Sequence, residues 1–203
     1  MLWILIPAKP FQEAKSRLAT VLTPGQRADL SRKLLQQTIN RARPVAAEVL
    51  IISRSQEVRR VAEQIGAQTM AETAHDLNAA VKVGLRRAQA ADAKTVLVLP
   101  ADLPLLTTSA LQTFINLADG MERVAAIAPC RRQEGTNALL LRPPQLLNPA
   151  FGPDSFITHQ SAARQAGLTP IIHHASELAF DLDTPADWVE LLYHQISLTH
   201  LTA

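Results

Sequence analysis

The chain has one cysteine, Cys130, among 203 residues. It can close no internal disulfide and has no second thiol for a structural zinc site, so a disulfide-stapled scaffold and a zinc ribbon are excluded. Cys130 reads as a small buried or half-buried thiol. Aromatic residues make up only 4% of the chain, and no basic run is interleaved with them, which removes the stacking surface a single-stranded nucleic acid needs. The net charge of +2 is too small an excess for a polyanion, and nucleic acid is not an expected partner. No apolar run reaches membrane-spanning length. Met1-Leu2-Trp3-Ile4-Leu5-Ile6 is ended by Pro7 and Lys9, with no charged segment before it and no small-residue cleavage site after it. A first strand so near the initiating methionine predicts a cytoplasmic protein without a membrane partner. The seven glycines form neither a Gly-x-Gly-x-x-Gly turn nor a Walker A loop, which argues against a dinucleotide dehydrogenase and a P-loop NTPase. No His-Glu-x-x-His or His-x-x-x-His spacing occurs, and no Gly-x-Ser-x-Gly elbow, so a zinc hydrolase and an α/β-hydrolase are disfavoured.

What is present is an ordinary globular balance, 47% hydrophobic and 19% charged, with no linker or repeat, which predicts one domain over residues 1–203. Apolar runs of strand length alternate with segments of helical period. Strands are expected at Leu2 to Ile6, Val49 to Ser53, Gln68 to Met70, Val96 to Leu99, Val124 to Ala128, Ala138 to Leu141 and Pro170 to His173. Helices are expected after Thr23, at Val58 to Ile65, at Leu77 to Gln89, from Thr107 or Thr108 through Leu117, near Ser155 to Gln165, and after Thr184. Thr23-Pro24-Gly25-Gln26 reads as a capping box with proline in the first turn, and Thr184-Pro185 repeats the start. This alternation predicts an α/β fold with a mixed, mainly parallel sheet and helices on both faces, and ligands beyond the carboxyl ends of the strands. No role is read for the tail after Gln195.

Four constellations carry candidate chemistry. Lys9, Lys15 and Arg17 leave the first strand in a loop stiffened by Pro10. Two movable ammonium groups and a guanidinium fork suit a polyphosphate; the plainer reading is a solvated basic loop. Asp76-Leu77-Asn78-Ala79-Ala80 opens a helix with small residues, so a base or ribose can approach and Asn78 can donate and accept; Asp76 also caps that helix, and the two readings are compatible. Asp102 follows a buried strand, and Asp181 and Asp183, two apart on an extended stretch, face the same side. Three such carboxylates make a hard-oxygen site suited to Mg²⁺, the alternative being loop and turn residues. Lastly, Glu134 to Ala138 and Phe151 to His159 offer the hydroxyls of Thr136 and Ser155, close approach at Gly152 and a helix start for an anion, with Asp154 or Ser155 as an ordinary cap the alternative.

Taken in order, Pro-Ala-Lys-Pro with Ala-Lys-Ser-Arg-Leu, Asp-Leu-Asn-Ala-Ala, Leu-Pro-Ala-Asp-Leu-Pro, Gly-Thr-Asn-Ala-Leu, Phe-Gly-Pro-Asp-Ser-Phe and Phe-Asp-Leu-Asp-Thr-Pro-Ala-Asp resemble the 2-phospholactate/phosphoenolpyruvate guanylyltransferases of coenzyme F420 biosynthesis. The resemblance runs from Ile4 to about Trp188. It implies a GT-A-like (Rossmann-like) nucleotidyltransferase fold, GTP and a small phosphorylated acid as substrates, Mg²⁺ as cofactor, and release of pyrophosphate. It further implies that Asp102, Asp181 and Asp183 hold the metal and that Thr136, Gly152 and Ser155 contact the acid, with Asn78 helping to seat the nucleoside and Lys9, Lys15 and Arg17 stabilising the leaving pyrophosphate. The resembled enzymes use phosphoenolpyruvate, 2-phospholactate or a related phosphorylated acid, and phosphoenolpyruvate is the acceptor expected here. The other readings are a nucleotidyltransferase with a sugar or alcohol phosphate acceptor and a nucleotide-binding protein without chemistry. A homodimer is left open.

Overall fold

The computed structural model describes residues 1–72 and 76–193; the tail beyond Gln195 lies outside them. The elements run β1 (Leu2–Pro7), α1 (Pro24–Ala42), β2 (Glu48–Ile52), α2 (Gln56–Gln64), β3 (Gln68–Met70), α3 (Leu77–Ala90), β4 (Thr95–Val98), α4 (Thr108–Asn116), β5 (Val124–Pro129), β6 (Thr136–Arg142), α5 (Ser155–Gln165), β7 (Ile171–Ile172), α6 (Ser176–Ala179) and α7 (Pro185–Tyr193). Two single 3₁₀ turns, Phe11–Glu13 and Ser16–Leu18, lie between β1 and α1.

The strands form one seven-stranded sheet in the order β3-β2-β1-β4-β6-β5-β7. The pairs β1/β2, β1/β4, β2/β3 and β5/β7 are parallel, and β6 runs antiparallel to both β4 and β5. Strand alternation divides the apolar residues between the two faces. Ile4, Ile6, Val49, Ile51, Leu97 and Leu140 pack with residues of α1, α2 and α4. Trp3, Leu5, Leu50, Ile52, Val96 and Leu139 pack with Val81 and Leu85 of α3 and Phe156 and Ala163 of α5. The mixed sheet covered on both faces is therefore as the alternation predicts.

The helix starts follow the local chemistry. The Thr23 hydroxyl accepts from Gln26 N–H at 3.3 Å and the Gln26 side chain accepts from Thr23 N–H at 2.9 Å, a complete capping box ahead of α1. Asp76 caps α3 through the amides of Asn78 and Ala79. Thr107 caps α4. Asp154 is different: it stands before α5 at φ 56° and makes no side-chain cap.

A third, smaller apolar cluster matters most for the site. Leu18 from the second 3₁₀ turn, Leu30 and Leu34 of α1, Phe180, Leu182 and Leu191 pack together, with Trp188 against them. It pins the loop carrying Lys15 and the segment carrying Asp181 and Asp183 to one helix, although more than 160 residues separate them in sequence.

Candidate active site

Parallel pairing fixes the first part of the site. With Leu5 opposite Val98 in β1 and β4, the chain leaves both strands at the same edge, carrying Lys9 and Lys15 from one and Asp102 from the other. The strand order turns here, β2 lying on one side of β1 and β4 on the other, and such a switch point opens a crevice. A cleft of about 610 Å³ occupies it, lined by Pro7, Ala8, Lys9, Phe11, Lys15, Arg54, Pro100, Ala101, Asp102 and Asp183 together with Asp76, Leu77 and Ala80 at the start of α3. Because β6 runs antiparallel, Leu139 faces Val98 and the first residues of β6 reach this same edge. That direction, absent from a purely parallel sheet, is what brings Thr136 there.

The centre is an ammonium group held between two carboxylates. Lys15 Nζ donates to Asp102 Oδ2 at 2.9 Å and to Asp183 Oδ1 at 3.0 Å. The backbone of Lys15 is left-handed, φ 55° and ψ 33°, sparsely populated for a residue with a Cβ. Leu18, fully buried in the next turn, holds it there. Burial alone would lower the Lys15 pKa, but the Coulombic pull of Asp102 and Asp183 and their hydrogen bonds outweigh it and leave it raised. Lys15 is therefore a permanent cation.

Asp181 completes the acidic set. Leu182 N–H donates to Asp102 O at 3.1 Å, and Leu182 is fully buried. The alternation turns Asp181 and Asp183 to the opposite side, as their spacing predicts. Asp181 Oδ1 is buried and accepts no hydrogen bond. Burial, then the neighbouring charge of Asp102, pushes its carboxyl above the usual carboxylate range, and Asp183 adds to the push. An orphaned buried oxygen among repelling carboxylates fits the donor chemistry of a hard divalent cation. Among the described residues, however, no three acidic, His or Cys side chains already surround one point; Lys15 supplies the positive charge instead.

The structure does not bring together every candidate. Lys9 is exposed and lines the cleft. Arg17 is exposed and does not line it: the turn that buries Leu18 points its neighbour outward. Asn78 uses both ends of its amide on one backbone, donating to Phe151 O at 2.9 Å and accepting from Phe151 N–H at 2.7 Å. It therefore ties α3 to the loop before α5. Thr136, Gly152 and Ser155 do come together, since Ser155 Oγ accepts from Thr136 N–H at 2.9 Å and Gly152 O accepts from Ser155 N–H. Thr136 and Ser155 are buried, and none of the three lines the cleft. The first amides of α5 are not open to an anion, because Ser155 N–H goes to Gly152 O and Phe156 N–H to Glu134 O. Gly152 has φ 138° with open space where a Cβ would stand, so glycine is required there by conformation and not by crowding.

Three residues without a role in the sequence reading hold these pieces. His159, fully buried, accepts Ala150 N–H on Nε2 at 3.0 Å, which places its proton on Nδ1 for Thr136 Oγ1 at 2.8 Å. Burial lowers its pKa to about 4. The folded value lies below the usual 6.5, so the unfolded chain takes up the proton first. The resulting stability is whole at neutral pH and is lost as pH falls from about 6.5 toward about 4. Urea unfolding at pH 7.5 and pH 5 is expected to show the wild type losing about 2 kcal/mol more than His159→Gln on acidification; equal losses would show that the imidazole carries no such linkage. Asn137, at the start of β6, donates to Leu178 O at 2.9 Å and Ala179 O at 3.1 Å. Asp187, 0% exposed, sits under Asp183. Burial alone would raise its pKa, but hydrogen bonds from Thr184 and Asp183 and the charge of Arg132 hold it low. The Thr184-x-x-Asp187 spacing was a legible capping signal; His159 had none.

The open α/β sheet carries a cation–carboxylate cluster at the exit of its first strand, and its fold is that of the nucleotidyltransferases. The solved structures agree on the fold: a putative nucleotide-diphospho-sugar transferase from Desulfovibrio desulfuricans G20 superposes with a TM-score of 0.77 and 20% identity, over 97% of this chain and 89% of that one. The family model described as "Guanylyl transferase CofC like" matches residues 2–200, and the chain belongs to that family. A relative named phosphoenolpyruvate guanylyltransferase, from Sphaerobacter thermophilus, is 39% identical, with 94% of this chain and 92% of that protein covered. Another, named 2-phospho-L-lactate guanylyltransferase, from Methanobrevibacter ruminantium, is 30% identical, with 95% of this chain and 86% of that protein covered.

Proposed function

We propose that this chain transfers GMP from GTP to a phosphorylated three-carbon acid and releases pyrophosphate, the guanylyltransferase step of coenzyme F420 biosynthesis. Phosphoenolpyruvate is the favoured acceptor and 2-phospholactate the alternative, following the names and identities of the two relatives. The observation that carries the reading is the Lys15 ammonium held by Asp102 and Asp183 in the cleft beside β1 and β4.

In the proposed reaction a phosphate oxygen of the acceptor attacks the α-phosphorus of GTP in line. The new O–Pα bond forms as the bond from Pα to the bridging oxygen breaks, and pyrophosphate leaves with that electron pair. The acceptor phosphate is already ionised near neutral pH, its second pKa being about 6, so no general base is needed. Catalysis then rests on placement and on charge neutralisation. Lys9 and Lys15, which both line the cleft, are assigned to the charge that develops on pyrophosphate, and the raised pKa of Lys15 suits that role. The acceptor is assigned to the loop built on Thr136, Gly152 and Ser155, which lies at the same sheet edge behind the cleft lining and is tied down by His159 and Asn78. Mg²⁺, when bound, is assigned to Asp102, Asp181 and Asp183, where it would supply a Lewis acid against the triphosphate.

The test is mass spectrometry of products from GTP, Mg²⁺ and a mixture of phosphoenolpyruvate and 2-phospholactate, with ATP, CTP and UTP in parallel. A guanylylated acid formed with stoichiometric pyrophosphate is expected. No GTP-derived product with either acid would overturn the assignment.

A further inference from the structure

We propose that Asp187 is a positioning residue for this reaction, the group that sets where Asp181 and Asp183 stand relative to Lys15. Its chemistry rests on the proposed function; its geometry does not. A fully buried carboxylate is costly unless it is paired and hydrogen-bonded, and Asp187 is both. Its Oδ2 accepts two successive backbone N–H groups, Asp183 at 2.9 Å and Thr184 at 2.6 Å. Its Oδ1 accepts Arg131 and, at 2.9 Å, Arg132.

The arginines make this more than a helix cap. A cap for α7 needs one side-chain oxygen, which Thr184 already offers to Asp187 N–H at 3.3 Å. Arg131 and Arg132 belong to the turn joining β5 and β6, and this turn also grips the acidic segment further upstream. Arg131 N–H donates to Ala179 O at 3.0 Å, and its guanidinium lies 4.4 Å from the centre of the Phe180 ring. The stretch from Ala179 to Thr184 is thus fastened at both ends to the central sheet, with Asp181 and Asp183 between the fastenings. The Asp183 amide is one of the groups held by Asp187, and the Asp183 carboxylate reaches Lys15 at 3.0 Å. Loosening Asp187 therefore moves a carboxylate in the cleft without removing one.

The experiment compares Asp187→Asn with the wild type by kcat, KM for GTP, melting temperature, and Mn²⁺ binding followed by electron paramagnetic resonance in the presence of GTP. Support at a buried carboxylate of this kind is worth about 10–100-fold in activity or metal affinity. The expected result is a folded variant with kcat and Mn²⁺ affinity each down by about that factor and KM for GTP within about threefold of the wild type, as for a displaced catalytic group. A folded variant with kcat and Mn²⁺ affinity within about threefold of the wild type overturns the proposal. Should Asp187→Asn not fold, Arg132→Gln serves instead, because Arg132 is partly exposed and Arg131 remains on Asp187. A fall of several-fold in both quantities supports the proposal, and unchanged values overturn it. If the wild type forms no guanylylated product, the functional reading fails, and the Mn²⁺ titration still decides whether Asp187 positions the acidic segment.

Discussion

Asp102→Asn is expected to lower turnover on the order of 10²–10³-fold, the scale seen when one preorganised electrostatic group is removed from a transition state, with the melting temperature close to that of the wild type. The two halves of this expectation have different origins. The amide matches the carboxylate in shape, so the loop from Pro100 to Pro104 need not move. Its backbone tie, Leu182 N–H to Asp102 O at 3.1 Å, involves no side chain. Lys15 keeps Asp183 as a partner at 3.0 Å, so its ammonium, with only 8% of the side chain accessible against 27% for Asp102, is not left unpaired when the Asp102 charge goes. Turnover is different, because the removed charge faces the cleft where the triphosphate is proposed to react. Steady-state pyrophosphate release with GTP and phosphoenolpyruvate, beside a thermal melt, reads both. Activity within a few-fold of the wild type would remove Asp102 from the reaction whatever the fold is called.

Much of this cleft is legible in the amino-acid sequence, for physical reasons that differ along the chain. Helix starts are local, so the Thr23 capping box and the Asp76 cap were written in four-residue windows. The face shared by Asp181 and Asp183 follows from strand period alone. That Lys9 and Asp102 share an edge needed only parallel strands, which buried apolar runs imply. Other features are tertiary. Nothing near Arg17 announces that burial of Leu18 turns it away, because that packing involves Leu30, Leu34 and Leu182. Asn78 had the chemistry of a ligand contact, and the backbone it holds, that of Phe151, lies 73 residues away. The antiparallel course of β6, which carries Thr136 to the same edge, depends on the connection between β5 and β6, whose turn residues also secure Asp187. Propensity has no access to any of these.

Lys15→Met carries the other large expected effect, and it separates the lysine from the metal. Met is unbranched and fits the same channel, and it bears the left-handed backbone at φ 55° no worse than lysine does. The substitution therefore removes the ammonium and little else. Asp102 and Asp183 lose the group that now bridges them at 2.9 and 3.0 Å, while Asp181 still raises the local negative potential. Turnover should fall by about 10²–10³-fold, and the variant should melt below the wild type through carboxylate repulsion. Mg²⁺ should then restore part of what was lost. A ligand at about ten times its dissociation constant stabilises the folded state by about 1.4 kcal/mol, equivalent to roughly 2–4 °C per kcal/mol in a domain of this size. The wild type, where the Lys15 ammonium already bridges two of the three carboxylates and offsets one of their charges, should respond less. Differential scanning with MgCl₂ against NaCl at matched ionic strength distinguishes binding from screening, and adding Asp181→Asn to Lys15→Met should cut the gain. A Lys15→Met protein whose melting temperature ignores Mg²⁺ would mean that these three carboxylates do not share a cation, and the pyrophosphate would then have to be stabilised by side chains alone.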